Sequence, residues 1–165
     1  MIKYLHFFMI CMMPLAAFSQ ELKTDVSLSV KVAVVFENTK FKSKLVETLK
    51  KKLEESNAAV TVAQHSKEGV ALENPELYDA IFITNSGVRS MVRPWISSWL
   101  DSHTDIAPKI LLHTTKTKNW EEQVSVDAVS SASAMNQVDS LAGEYAQKVL
   151  KLAQQDNAGQ VNEKE

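Results

Sequence analysis

Val30-Lys31-Val32-Ala33-Val34-Val35-Phe36, followed by Glu37-Asn38-Thr39 and then by Phe41, Leu45, Leu49 and Leu53 in helical spacing, is the stretch that decides the fold. From Val30 to Phe36 the run is apolar on both sides of an extended chain apart from Lys31, the pattern of a strand buried on both faces. The spacing that follows, with Val46 beside it, puts an apolar stripe along a helix from about Lys40 to Ser56. A buried strand that runs directly into an amphipathic helix opens an α/β chain.

The same alternation continues outward. Val60 and Val62 alternate with polar neighbours and predict a short second strand, and Tyr78 to Thr84 is a further apolar run that stops at Asn85-Ser86-Gly87. Between them, Gln64 to Leu77 has weak periodicity and reads as a loop with one helical turn. Pro94 suits the first turn of a helix carrying Trp95, Ile96, Trp99 and Leu100. Lys109 to His113 predicts another buried strand and Val124 to Val129 a last, shorter one. Val138, Leu141, Ala142, Tyr145, Val149 and Leu152 mark a final amphipathic helix, after which 154–165 loses periodicity and reads as a disordered tail. Strands interleaved with helices predict a three-layer α/β sandwich around a five-stranded parallel sheet, because parallel neighbours need crossover connections. The domain is expected over 30–153, with 20–29 as a polar lead-in.

Composition limits the function classes. A chain of 165 residues is one domain's worth. At 45% hydrophobic and 23% charged, with 4 Gly and 4 Pro, it is ordinary globular material, which excludes collagenous and low-complexity readings. A net charge of -2 lacks the basic excess that phosphate contacts demand, so no nucleic-acid partner is expected. Lys3, the apolar run Tyr4 to Met13, and the small residues Ala17 and Ser19 read as a signal peptide over 1–19, cleaved before Gln20. That run is shorter than the roughly 20 residues that span a bilayer, so an exported protein, periplasmic or secreted, without stable membrane insertion is expected. Cys11, the only cysteine, lies within it, which leaves the mature domain without a disulfide, zinc-thiolate site or cysteine nucleophile.

In an open parallel sheet, ligands bind outside the carboxyl ends of the strands. The loops there are Glu37-Asn38-Thr39, Asn85-Ser86-Gly87, His113-Thr114-Thr115 and Ser130-Ser131-Ala132-Ser133. They nominate Asn38, Thr39, Ser43, Asn85, Ser86, Gly87, His113, Thr114, Thr115, Ser130, Ser131 and Ser133 as binding groups, with Trp120 for stacking on a planar ligand. The plainer alternative is that these residues make turns and cap helices. Lys40, Lys42, Lys44, Lys50, Lys51 and Lys52 read as a solvated helix face whose first half could attract an anion. Asp101, His103 and Asp105 are too sparse to assign a metal. No hydroxyl is paired with an activating base, and neither a Walker loop nor a Rossmann glycine fingerprint occurs, so no catalytic residue is named.

In its βα order, and in Tyr78-Asp79-Ala80-Ile81-Phe82-Ile83-Thr84 as a third strand, the chain resembles the flavodoxin-like family from Val30 to Leu152. In register, that family's Ser/Thr-rich, glycine-containing flavin phosphate loop falls on Asn38-Thr39-Lys40-Phe41-Lys42-Ser43. Thr39 and Ser43 match, and Phe41 stands where the family has glycine. Asp127-Ala128-Val129-Ser130-Ser131-Ala132-Ser133 is similar to the Asp-x-x-Ser-Gly-Ala-Thr motif of exported FMN-binding domains, with Ser133 at the acceptor position. The resemblance implies FMN, or another small anionic ligand, and electron transfer with a redox protein partner the sequence does not name. Phe41 is expected to crowd the phosphate and make FMN binding weak. The alternative is a cofactor-free binding or scaffold domain that keeps the fold.

Overall fold

The structure, a computed structural model, describes residues 29–88, 91–117, 120–121 and 123–162, with side chains described as far as residue 155. The expected signal peptide and nearly all of the lead-in lie outside the described residues. The chain runs β1 (Lys31–Phe36), α1 (Lys40–Glu55), β2 (Ala59–Ser66), β3 (Gly69–Val70), β4 (Ala80–Ser86), α2 (Pro94–Asp101), β5 (Ile110–Thr115), β6 (Asp127–Ser131) and α3 (Val138–Asn162). The strands form one sheet in the order β3-β2-β1-β4-β5-β6. From β1 the chain moves outward to β2, then returns to the other side of β1 as β4, so the order reverses between β1 and β4.

The three-layer α/β sandwich is present, with a correction to its sheet. It has six strands and is mixed: β3 pairs antiparallel with β2, while the other pairings are parallel. The hairpin turns at Gly69, whose φ of 128° is a conformation that suits glycine. One helical turn does occur in this region, at Pro75–Leu77. The last strand starts at Asp127, because Val124 and Val126 instead pack over the core on the α2 face. The strand therefore takes in Ser130 and Ser131. The last helix continues to Asn162, beyond Leu152 where the apolar spacing ends, in place of the tail expected from residue 154.

Alternation along the strands divides the core. Val32, Val34, Phe82 and Leu111 pack against Phe41, Leu45, Leu49 and Leu53 of α1 and Tyr145 and Val149 of α3. Ala33, Val35, Ile81, Ile83 and Leu112 pack against Ile96 and Leu100 of α2. At the carboxyl ends the alternation carries on in polar residues. Thr84, Ser86 and His113 continue the α1/α3 face, and Asn85 and Thr114 continue the α2 face, with Thr84 beside His113 and Asn85 beside Thr114 in register. Polar groups thus reach both faces of one sheet edge.

Candidate functional site

The switch point between β1 and β4 holds an ion cluster. Lys42, in the first turn of α1, turns inward until its side chain is 1% exposed, and its Nζ donates to Glu37 Oε2 at 2.7 Å and to Ser86 Oγ at 2.5 Å. Ser86 Oγ donates to the same Glu37 oxygen at 2.7 Å, and Arg93 Nη2 donates to the other oxygen, Oε1, at 3.2 Å. Partial burial raises the Glu37 pKa, but the hydrogen bonds from Lys42 and Ser86 and the charges of Lys42 and Arg93 outweigh it and hold the carboxyl at about 2. Burial pushes the Lys42 pKa down, opposed by its hydrogen bond and attraction to Glu37. Arg93 is placed by its backbone N–H, which donates to Asn85 Oδ1 at 3.3 Å, and by the Trp95 ring 5.3 Å beneath its guanidinium. Among the described residues, its buried Nε has no hydrogen-bond partner.

Two buried histidines flank this cluster. The indole N–H of Trp95 donates to His65 Nδ1 at 3.1 Å, so Nδ1 accepts and Nε2 donates to the Thr84 carbonyl at 2.8 Å, which fixes the neutral tautomer. Burial lowers the His65 pKa. His113 is fully buried, with Nδ1 2.8 Å from Thr84 Oγ1 and Nε2 2.9 Å from Ser131 Oγ. Its ring lies near Phe82, centroids 6.0 Å apart, and Tyr145, at 5.0 Å. Burial pulls the His113 pKa down to about 3, and burial raises the Tyr145 hydroxyl, hydrogen-bonded to Ser131, to about 12. Ser131 and His113 have the spacing of a nucleophile and its base. Burial disfavours the imidazolium that would form if His113 took the serine proton, and both ring nitrogens are already engaged by Thr84 and Ser131, so we assign the pair to the fold's polar packing.

The residues nominated from the sequence collect at the carboxyl edge but spend many of their groups on one another. Thr39 caps α1 by accepting from Lys42 N, and Ser43 Oγ donates to Asn38 Oδ1 at 3.0 Å. Thr115 Oγ1 donates to the Asn85 carbonyl at 3.3 Å, and the Asn85 amide reaches Thr114 Oγ1 at 3.5 Å. Ser86 belongs to the ion cluster, while Ser130 and Ser133 are exposed and Ser130 falls on the opposite face from Ser131. No serine of 130–133 caps the last helix, since the 3-10 turn leading into it has Ala134 at its N-cap position and no side-chain cap. The Phe41 side chain is buried in the α1/α3 core.

Glu37, Lys42, Arg93 and His65 were absent from the nominated set. For Lys42 a signal exists: it lies four residues before Val46 and seven before Leu49, on the stripe that α1 buries. Arg93 and His65 carry no comparable signal, since only the folding of α2 over the ends of β2 and β4 brings them to Glu37 and Thr84.

Beside the cluster, on the α2 face, Gly87 lets the Trp120 ring lie against the backbone. A Cβ at Gly87 would fall 2.6 Å from Trp120 Cζ2. Lys116 Nζ holds the Trp120 carbonyl at 2.5 Å and sits 4.6 Å over its ring. A cavity of about 430 Å³ opens there, lined by Met91, Val92, Pro94, Ser97, Trp120, Glu121 and Gln123. Met91, which lines it, is exposed, as is Val88, its bridge partner. A larger cavity of about 710 Å³, lined by Pro108, Asp127 and Leu152 among others, lies at the amino end of β6, away from the switch point. Among the described residues there is no group of three or more His, Cys, Asp or Glu able to hold a metal ion, and no helix long and apolar enough to cross a membrane.

Neither a family model nor a curated protein matches the chain. Solved structures do. A WrbA-like flavodoxin from Agrobacterium tumefaciens superposes with a TM-score of 0.52 at 14% identity, over 78% of this chain and 99% of that one. A flavodoxin from the domain Archaea gives 0.51 at 15% identity, over 73% of this chain and 99% of that one. The fold is flavodoxin-like. A metal-soaked flavodiiron core from Synechocystis sp. gives 0.50 at 8% identity, over 78% of this chain and 37% of that one. At such identities the likeness is one of fold. In this flavodoxin-like chain the switch point does not fit a phosphate, because Lys42, Ser86 and Arg93 already converge on the ionised Glu37. The Trp120 cavity does offer a planar ring one aromatic wall and an apolar rim.

Proposed function

We propose that this chain is an exported flavodoxin-like domain that binds a flavin weakly, FMN among its forms, and acts in electron transfer outside the cytoplasm. The observation that carries the reading is the cavity between the loops after β4 and β5, at the carboxyl edge of the sheet, with Trp120 as its aromatic wall. A bound flavin would supply the redox chemistry. The chain's own part is to bind and orient. Trp120, held by Gly87 and Lys116, presents its ring, Met91 and Val92 cover apolar surface, and Gln123 and Ser97 offer hydrogen bonds. Binding is weak because the site has few polar anchors and no free cluster of donors for a phosphate.

A second reading, a cofactor-free binding or scaffold domain, is favoured by one observation: Lys42, Ser86 and Arg93 are already bonded to Glu37 at the place where this fold binds ligands. Absorption spectra of the purified mature protein, with fluorescence titrations of FMN and riboflavin, separate the two. Flavin bands, or saturable quenching by either flavin, are expected. No response at millimolar flavin leaves the cofactor-free domain. Export is checked by N-terminal sequencing of the extracytoplasmic protein, expected to begin at or near Gln20. Membrane-bound protein retaining Met1 would overturn it.

A further inference from the structure

We propose that Glu37 is the resident anion of the switch-point crevice and the residue that sets its specificity: it excludes phosphorylated ligands, and its removal opens an oxyanion site built by Lys42, Ser86 and Arg93. The argument starts from donors. A buried ammonium, a hydroxyl and a guanidinium, carried by α1, by β4 and by the residue just before α2, converge on one carboxylate at 2.7, 2.7 and 3.2 Å. Three charge-assisted or hydroxyl donors around a two-oxygen anion form a set that any oxyanion of similar size would satisfy. The carboxylate is supplied by the chain itself, on the residue next to the end of β1.

Burial marks the arrangement as a built one. Lys42 is 1% exposed, whereas Glu37 and Arg93 are 24% and 25% exposed, so the cluster opens to solvent on the anion's side. A second anion brought to the same donors meets the Glu37 charge, which persists through the whole physiological pH range because the carboxyl titrates at about 2. Glu37 takes only the Nη2 of Arg93, and among the described residues Nε has no hydrogen-bond partner, so the guanidinium is not fully used by Glu37. Without Glu37 the crevice would hold two cations, Lys42 and Arg93, and a hydroxyl with no anion between them.

For flavin the consequence rests on the function proposed above: FMN and riboflavin should bind alike, because the phosphate finds no place. The experiment has an arm that does not depend on flavin. Wild type, Glu37→Ala and Glu37→Gln are titrated calorimetrically with inorganic phosphate, and with FMN and riboflavin by fluorescence. Wild type should give no heat with phosphate and equal affinities for the two flavins. Glu37→Ala should bind phosphate, and should bind FMN more tightly than riboflavin by about tenfold or more, the worth of one charge-assisted hydrogen bond. Glu37→Gln keeps the side-chain shape and an acceptor for Lys42, so it serves if the alanine variant does not fold, and it should show the same gain at smaller size. Phosphate binding to wild type, an FMN preference of about tenfold in wild type, or folded variants that gain nothing for phosphate would each overturn the assignment. If neither flavin binds any of the proteins while phosphate binds only the variants, the flavin function fails and the role of Glu37 stands.

Discussion

Lys42 and Lys44 are two residues apart on α1 and alike in sequence, yet one is buried against Glu37 and Ser86 and the other pairs with Glu47 in solvent. Their substitution should therefore differ. Lys42→Met removes one partner of a largely desolvated ion pair, but Glu37 keeps Arg93 and Ser86, so a loss of about 1–3 kcal/mol is expected, below the 3–5 typical of a fully buried pair. Lys44→Met should stay within about 0.5 kcal/mol. Urea denaturation of both variants is the measurement, and equal effects would show that Lys42 is solvated. The burial of Lys42 is readable in principle from its distance to Val46 and Leu49. Its charge hides that signal, because a lysine on an apolar stripe ordinarily bends its ammonium out to water. Here a carboxylate waits inside.

Among the elements, α1 shows how local chemistry sets boundaries. It starts at the Thr39 cap and ends where Asn57 adopts φ 63°, with Asn57 N–H donating to the Glu54 carbonyl and Ala58 N–H to the Leu53 carbonyl. This pair of bonds is the left-handed helix stop in which the second residue past the cap packs against the last buried position, and both Ala58 and Leu53 are buried. Asn57→Gly should leave stability unchanged or raise it by up to about 1 kcal/mol, and Asn57→Val should lower it by about 1–2 kcal/mol, since a β-branched side chain resists that backbone. Thermal denaturation of the two variants decides it, and a stabilising valine would refute the account. Elements with such caps and a clear stripe were legible. The two-residue strand β3 was not, because it has too few residues to show a period, and β6 was misplaced because Val124 and Val126 are apolar for packing over the α2-face core and do not lie in a strand.

At the scale of the whole molecule, the buried histidines make stability depend on pH. The unfolded chain takes up a proton on His113 near pH 6.5, whereas the folded chain does so only near 3. Between these values the unfolded state binds more protons, so His113 favours folding fully above 6.5 and progressively less as pH falls, by up to about 1.4 kcal/mol per pH unit. Glu37 adds its own loss only as pH drops from 4.5 toward 2, so the interval from about pH 5 to 6.5 reports the histidines. His113→Asn should flatten the slope there, His65 being present in both proteins. An unchanged slope in urea denaturation would show that His113 is not held neutral. By itself, the sequence determined the α/β class, the first strand and its helix, and the sheet edge where polar residues gather, because periodicity and turn chemistry are written in neighbouring residues. Only the tertiary structure decided that those polar residues divide between two faces, that Phe41 is buried in the α1/α3 core, and that Glu37, Lys42, Ser86 and Arg93 meet. These contacts join positions up to 56 apart in sequence, and no local pattern encodes which distant charge a buried lysine will find when strands β1 and β4 are brought side by side.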